Sequence, residues 1–206
     1  MPTSSLIRWS APCFLLGALG FALFIFVSNG EFTGAALGLS AHHHFAHTAH
    51  FWSAYFFLFG ITGFYAYVRE RSGAFGLFAY LVAMTGTALF TGTGVITAFV
   101  WQRISANAPN LVDMSQGSFF NPPLPVIFIA TVGFSVGQIL LGVTALRTKM
   151  LPRGGALLVI AGAVLVLAPP PPWGPVPYGV IDAGAAAFLA GAAWLAAGIW
   201  KGAATA

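Results

Sequence analysis

Apolar residues run along this chain in long blocks, broken by short polar stretches or by stretches rich in glycine and proline. Each block approaches the roughly 20 residues that an α-helix needs to cross a hydrocarbon core about 30 Å thick. Inside a bilayer every backbone N–H and C=O must be paired within the chain, which leaves helices and closed barrels as spanning structures. The blocks are continuous and lack the two-residue alternation of a barrel strand, so they predict helices. Six are expected, at about residues 9–28, 43–68, 74–101, 124–146, 153–168 and 178–200. The fifth is the shortest, and the run Pro169 to Pro172 behind it cannot continue a helix. The expected fold is therefore all-α, a polytopic membrane helical bundle forming a single transmembrane domain over residues 1–206.

Composition agrees with that pattern. Of the 206 residues, 58% are hydrophobic and only 6% charged, against about a quarter charged in a soluble domain. Such a chain has too little polar surface to cover a core in water. The first block follows Arg8 but runs long and lacks a small-x-small cleavage site, so it is read as a retained helix and not as a secretory signal.

The basic residues orient the bundle by the excess of Lys and Arg expected in cytoplasmic loops. Arg8, then Arg69 and Arg71, then Arg147, Lys149 and Arg153, and finally Lys201 fall on one side of a six-helix arrangement. Arg103 alone falls on the other. Both termini are thus expected in the cytoplasm, and the cell membrane, of the bacterial cytoplasmic type, is the expected location. The formal charge of +4 and the pI of 9.6 do not point to nucleic acid, because the cations are dispersed at helix ends and form no patch. The expected partners are the lipid bilayer and other membrane subunits. Cys13, the single cysteine, has no mate in the chain and reads as a small buried residue.

The helices differ in texture. The second is crowded with Phe, Tyr and Trp between Phe51 and Tyr67. The sixth carries Gly184, Gly191 and Gly198 one heptad apart among alanines, and the fourth has Gly133 and Gly137 in GxxxG spacing. Small residues at these spacings let backbones approach closely where lipid provides no hydrophobic drive, so both helices are expected in interior contacts. Glycines 86, 92 and 94 invite a bend near the far end of the third helix.

All five histidines lie between His42 and His50. If the second helix is continued back through them, His43, His47 and His50 share one face, because offsets of four and seven residues return within about 40° of the start. His43 and His50 would stand roughly 10 Å apart along the axis, so one metal ion is better served by His43 with His47 or by His47 with His50. Neutral imidazole is the commonest metal ligand among side chains. Further ligands are sought among Glu31, Asp113, Met114 and Asp182. Asp182 is the foremost of these, because a carboxylate inside an apolar span is expensive unless paired or coordinated. The expected metal ligands are accordingly His43, His47, His50 and Asp182, with zinc, copper or iron as the ion. A second reading of the same helix makes His50 the axial ligand of haem or chlorophyll, with aromatic residues packed on the ring.

Residues 133–137, Gly-Phe-Ser-Val-Gly, together with six spans and histidines entering the second, loosely resemble the rhomboid family of intramembrane proteases. In that family a Gly-x-Ser-Gly serine is activated by a histidine on the sixth span. Here residue 136 is Val and the sixth span has no histidine, so Ser135 lacks a base and the glycines read as packing residues. The function expected from these observations is that of a membrane accessory or binding subunit whose outer-leaflet histidine cluster binds a metal or cofactor or contacts a partner. The alternative is a small membrane metalloenzyme or redox protein using His43, His47, His50 and Asp182. The binding subunit is favoured because an enzyme brings polar groups together from several helices and this sequence offers few.

Overall fold

The computed structural model describes residues 3–28, 40–111, 125–168 and 176–203, and among them all regular structure is helical, with no strand. In chain order the elements are α1 (Thr3–Ser28), α2 (Ala41–Val95), a π-helical turn (Ile96–Val100), α3 (Trp101–Asn107), a 3-10 turn (Pro109–Leu111), α4 (Pro125–Thr148), α5 (Arg153–Val166) and α6 (Tyr178–Gly202). Among the described residues four helices are long and apolar enough to cross a membrane: Ser5–Ser28, Ala41–Asn107, Ile129–Thr148 and Tyr178–Gly202. Arg153–Val166 is a shorter apolar helix. The Pro169–Pro172 run and the residues Glu31, Asp113 and Met114 lie outside the described residues.

Local chemistry sets the helix limits. Ser40 opens α2 as its N-cap, its hydroxyl accepting from the His43 backbone N–H at 3.0 Å, which satisfies a donor that the first turn leaves orphaned. Pro152 and Pro177 stand at the starts of α5 and α6, where a missing N–H is harmless. Lys149 closes α4 with a left-handed φ of 56°, a conformation usually given to glycine.

The second and third expected helices are one element, α2, broken at Gly73. This residue has φ 57° and ψ −155°, a combination that L side chains rarely adopt. The chain folds back there with no loop. The two arms then run antiparallel in contact: Tyr65 stacks on Tyr80 at 4.6 Å, the Thr62 hydroxyl meets the Met84 sulfur at 3.8 Å, and Phe51 meets Phe99 at 5.5 Å.

The remaining helices close a ring around these arms. α1 packs on α2 and on α6, the second arm of α2 packs on α4, and α5 bridges α4 and α6. Small residues make the seams. A Cβ on Gly191 would lie 2.6 Å from the Val159 nitrogen and 2.7 Å from the Gly155 oxygen. The stripe of Gly184, Gly191 and Gly198 therefore faces α5 and the turn before it, while Gly133 and Gly137 meet Gly86 and Ala83 of α2. Both expected interior contacts of the small-residue helices are present.

At the centre the ring is filled. Phe21 of α1, Phe57 and Phe90 from the two arms of α2, Phe134 of α4 and Phe188 of α6 are all buried. Their rings meet in pairs at 4.6 to 6.4 Å, mostly in the edge-on or offset arrangements that aromatic quadrupoles favour.

The contacts also give the bundle two distinct ends. Arg8 lies over Trp200, Tyr67 meets Gly202, Arg147 lies over Phe75 and Gly198 meets Pro152, so seven of the eight basic residues gather at one end. The histidines and Arg103 occupy the other.

Candidate functional site

The first turns of α2 carry the histidines. As a consequence of helical spacing, His43, His47 and His50 form a column on the face turned towards the bundle, while His42 and His44 are exposed. Ring centroids are 4.1 Å apart for His43 and His47 and 6.2 Å apart for His47 and His50. His43 and His50 are only 7% and 4% exposed.

The walls of the column are aromatic. Phe24 of α1 stands 5.3 Å from His47 and 4.6 Å from His50, Phe90 stands 3.9 Å from His50, and Trp101 stands 6.3 Å from His43. The π-helical turn Ile96–Val100 lies just before Trp101. Such turns add a residue to the helical repeat and recur at functional sites; here the turn sets the rotation at which Trp101 follows the second arm of α2.

Four ring nitrogens, His43 Nε2, His47 Nδ1 and both nitrogens of His50, are withdrawn from the surface with no hydrogen bond of standard geometry among the described residues, although the Phe90 backbone lies close to the His50 ring. A buried polar atom left unpaired costs about 1–3 kcal/mol. Three adjacent imidazoles in this condition are therefore a demanding arrangement for packing alone.

The known proteins offer no shortcut to the role of this site. No protein family, curated protein or solved structure matches the chain. The function has to be argued from the geometry.

Among the described residues no three His, Cys, Asp or Glu side chains are grouped so as to hold a metal ion, and the ligand set expected from His43, His47, His50 and Asp182 is not assembled. α1 packs against both the histidine arm and α6 and puts Phe24 against the imidazoles, while the histidine arm and α6 meet deeper in the bundle through Phe57 and Phe188. Asp182 is half-buried in the second turn of α6.

A tetrapyrrole on His50 would have to be accommodated beside two aromatic rings, Phe24 at 4.6 Å and Phe90 at 3.9 Å from the imidazole. A groove of about 280 Å³ between α1 and the first arm of α2 is lined by Leu16, Leu23, Phe45, Thr48, Trp52 and Phe56, but no histidine lines it.

Sequence reasoning missed two features. The aromatic walls, Phe24, Phe90 and Trp101, are indistinguishable in sequence from the many other aromatic residues of the chain. Gln138 of α4 is fully buried with both amide atoms unpartnered among the described residues. A lone amide within an apolar block was the signal available for it.

Proposed function

We propose that this chain is a six-crossing membrane protein with both termini in the cytoplasm, serving as a binding or accessory subunit that holds a transition metal ion between the neighbouring imidazoles of His47 and His50 near the outer surface. The crossing count takes each arm of α2 as one span and adds α5. The orientation follows from the seven basic residues at one end. Zinc, copper and iron suit imidazole, and coordination positions that this chain does not fill are open to water, an exogenous ligand or a partner subunit.

The observation that carries the reading is the set of four buried imidazole nitrogens on one column that make no hydrogen bond of standard geometry. Two further observations favour binding over catalysis or transport. The walls of the column are Phe24, Phe90 and Trp101, and among the described residues no convergent acids and bases of the kind a reaction centre uses stand with them. The five phenylalanines fill the middle of the bundle where a conduit would run.

The test is metal analysis and visible spectroscopy of protein purified in detergent and reconstituted with Zn²⁺, Cu⁺ or Fe²⁺. A stoichiometric metal that is lost in both His47→Ala and His50→Ala is the expected result. Protein that retains none of the three metals would overturn the proposal. Topology is tested in a Cys13→Ala background: a cysteine at Asn110 should react with an impermeant thiol reagent from outside, and one at Ala74 should not.

A further inference from the structure

The end of the bundle opposite the histidines carries a second arrangement that the metal reading does not use. α6 ends there between two basic flanks. On one side α1 places the Arg8 guanidinium 4.1 Å over the Trp200 ring, and Trp9 meets the same ring edge-on at 5.8 Å. On the other side the turn between α4 and α5 docks on α6 through Leu151 and Pro152 against Gly198 and brings Lys149 and Arg153 with it. Lys201 is exposed between the flanks. Glu70 is the single acidic residue at this end among the described residues, and it lies on α2 one helical turn beyond Tyr67, which meets Gly202.

We propose that the seam between α1 and α6 at this end binds the headgroup of an anionic phospholipid, with Arg8 and Lys201 meeting the phosphate and Trp9 and Trp200 forming the platform beneath it. The guanidinium is positioned by the indole face through cation–π attraction, and its planar N–H donors suit a bidentate phosphate contact. Lys201 adds a point charge one residue from Trp200.

The apolar neighbours select a lipid over a soluble anion. Trp9 is 64% exposed and Leu6 is 60% exposed, on the same stretch of helix as Arg8. A soluble phosphate has no use for such surface, whereas acyl chains and the glycerol region cover it, and indole rings concentrate at that depth of the bilayer. The backbone of Lys149 points the same way. A lysine at φ 56° stands where glycine would be unstrained, so a cation is kept at this end at a conformational cost. Juxtamembrane cations of this kind attract anionic lipid surfaces, and each is worth roughly fivefold in affinity.

The experiment uses the full chain in neutral detergent. Phosphatidylglycerol and phosphatidylcholine of identical acyl chains are added in parallel, and retained lipid is read by native mass spectrometry and by thermal shift. Preferential retention of phosphatidylglycerol is expected. The preference should fall by about one order of magnitude or more in Arg8→Gln/Lys201→Gln, two cations at about fivefold each, and should persist in Arg103→Gln at the opposite end. Arg8→Lys, which keeps the charge and the fold, should retain part of it. Should the double variant fail to fold, raising the salt concentration on the wild type replaces it, and the preference should shrink as exposed charges are screened. Equal retention of both lipids, a preference unchanged in the double variant or in high salt, or full displacement by millimolar glycerol phosphate would each overturn the proposal.

Discussion

Adding one methyl group at Gly191 tests whether the α5–α6 seam is set by backbone proximity. A Cβ at that position would stand 2.6 Å from the Val159 nitrogen, 2.7 Å from the Gly155 oxygen and 2.9 Å from the Leu158 Cβ. Two of the three atoms are backbone and none is the end of a flexible side chain, so the helices must separate to admit it. Overpacking of this kind costs about 1–3 kcal/mol, partly offset by the roughly 1 kcal/mol that alanine gains over glycine in a helix. Gly92 is the control, because it too lies within a helix but a Cβ there meets nothing within 4 Å. Gly92→Ala should therefore stabilise by up to about 1 kcal/mol, while Gly191→Ala should be neutral to destabilising by about 2 kcal/mol. For a chain of this size the two variants should differ by roughly 2–12 °C in melting temperature. The assay is thermal unfolding in one detergent, followed by circular dichroism. Equal melting temperatures, or a higher one for Gly191→Ala, would show that the α5–α6 seam is looser than described.

Two further perturbations separate strain from packing and ligand binding from stability. Gly73→Ala places a side chain in open space but at φ 57°, so it should destabilise by about 1–3 kcal/mol through backbone strain alone; an unchanged melting temperature would remove Gly73 as the determinant of the fold-back. His50→Leu removes two buried nitrogens that make no hydrogen bond of standard geometry and should leave the metal-free protein about as stable as the wild type or more so, while abolishing metal retention. Marked destabilisation of the metal-free form would mean that His50 serves packing rather than a ligand.

Much of this architecture is written in the order of residues. The apolar blocks locate the helices, the 3.6-residue repeat puts His43, His47 and His50 on one face, and the heptad glycines of α6 mark a close seam. What escapes is the order in which helices pack around the ring, because apolar periodicity reports burial and is silent about the neighbour that provides it. That α1 would lie against both the histidine arm and α6 and set Phe24 beside the imidazoles had no signal in the sequence. The merger of two expected helices at Gly73 escaped for a related reason. Arg69, Glu70, Arg71 and Ser72 look like a polar loop, but all four continue the helix and a single glycine makes the reversal. The π-helical turn before Trp101 has no sequence signature beyond the flexible glycines that precede it.

A reversal made by one residue has no slack. Where a loop joins two helices, each can slide or rotate by taking up chain from the connection, but the arms of α2 share an unbroken backbone up to Gly73 on both sides. An axial shift of one arm would have to be absorbed by the two torsions of that residue. The arms are therefore tied in register as a single clamp, with the histidine column at the free tip of one jaw and Phe90 and Trp101 on the other. Opening that tip is a rotation about Gly73 at the far end of the bundle, so a small change of torsion in the basic end would become a larger displacement at the imidazoles.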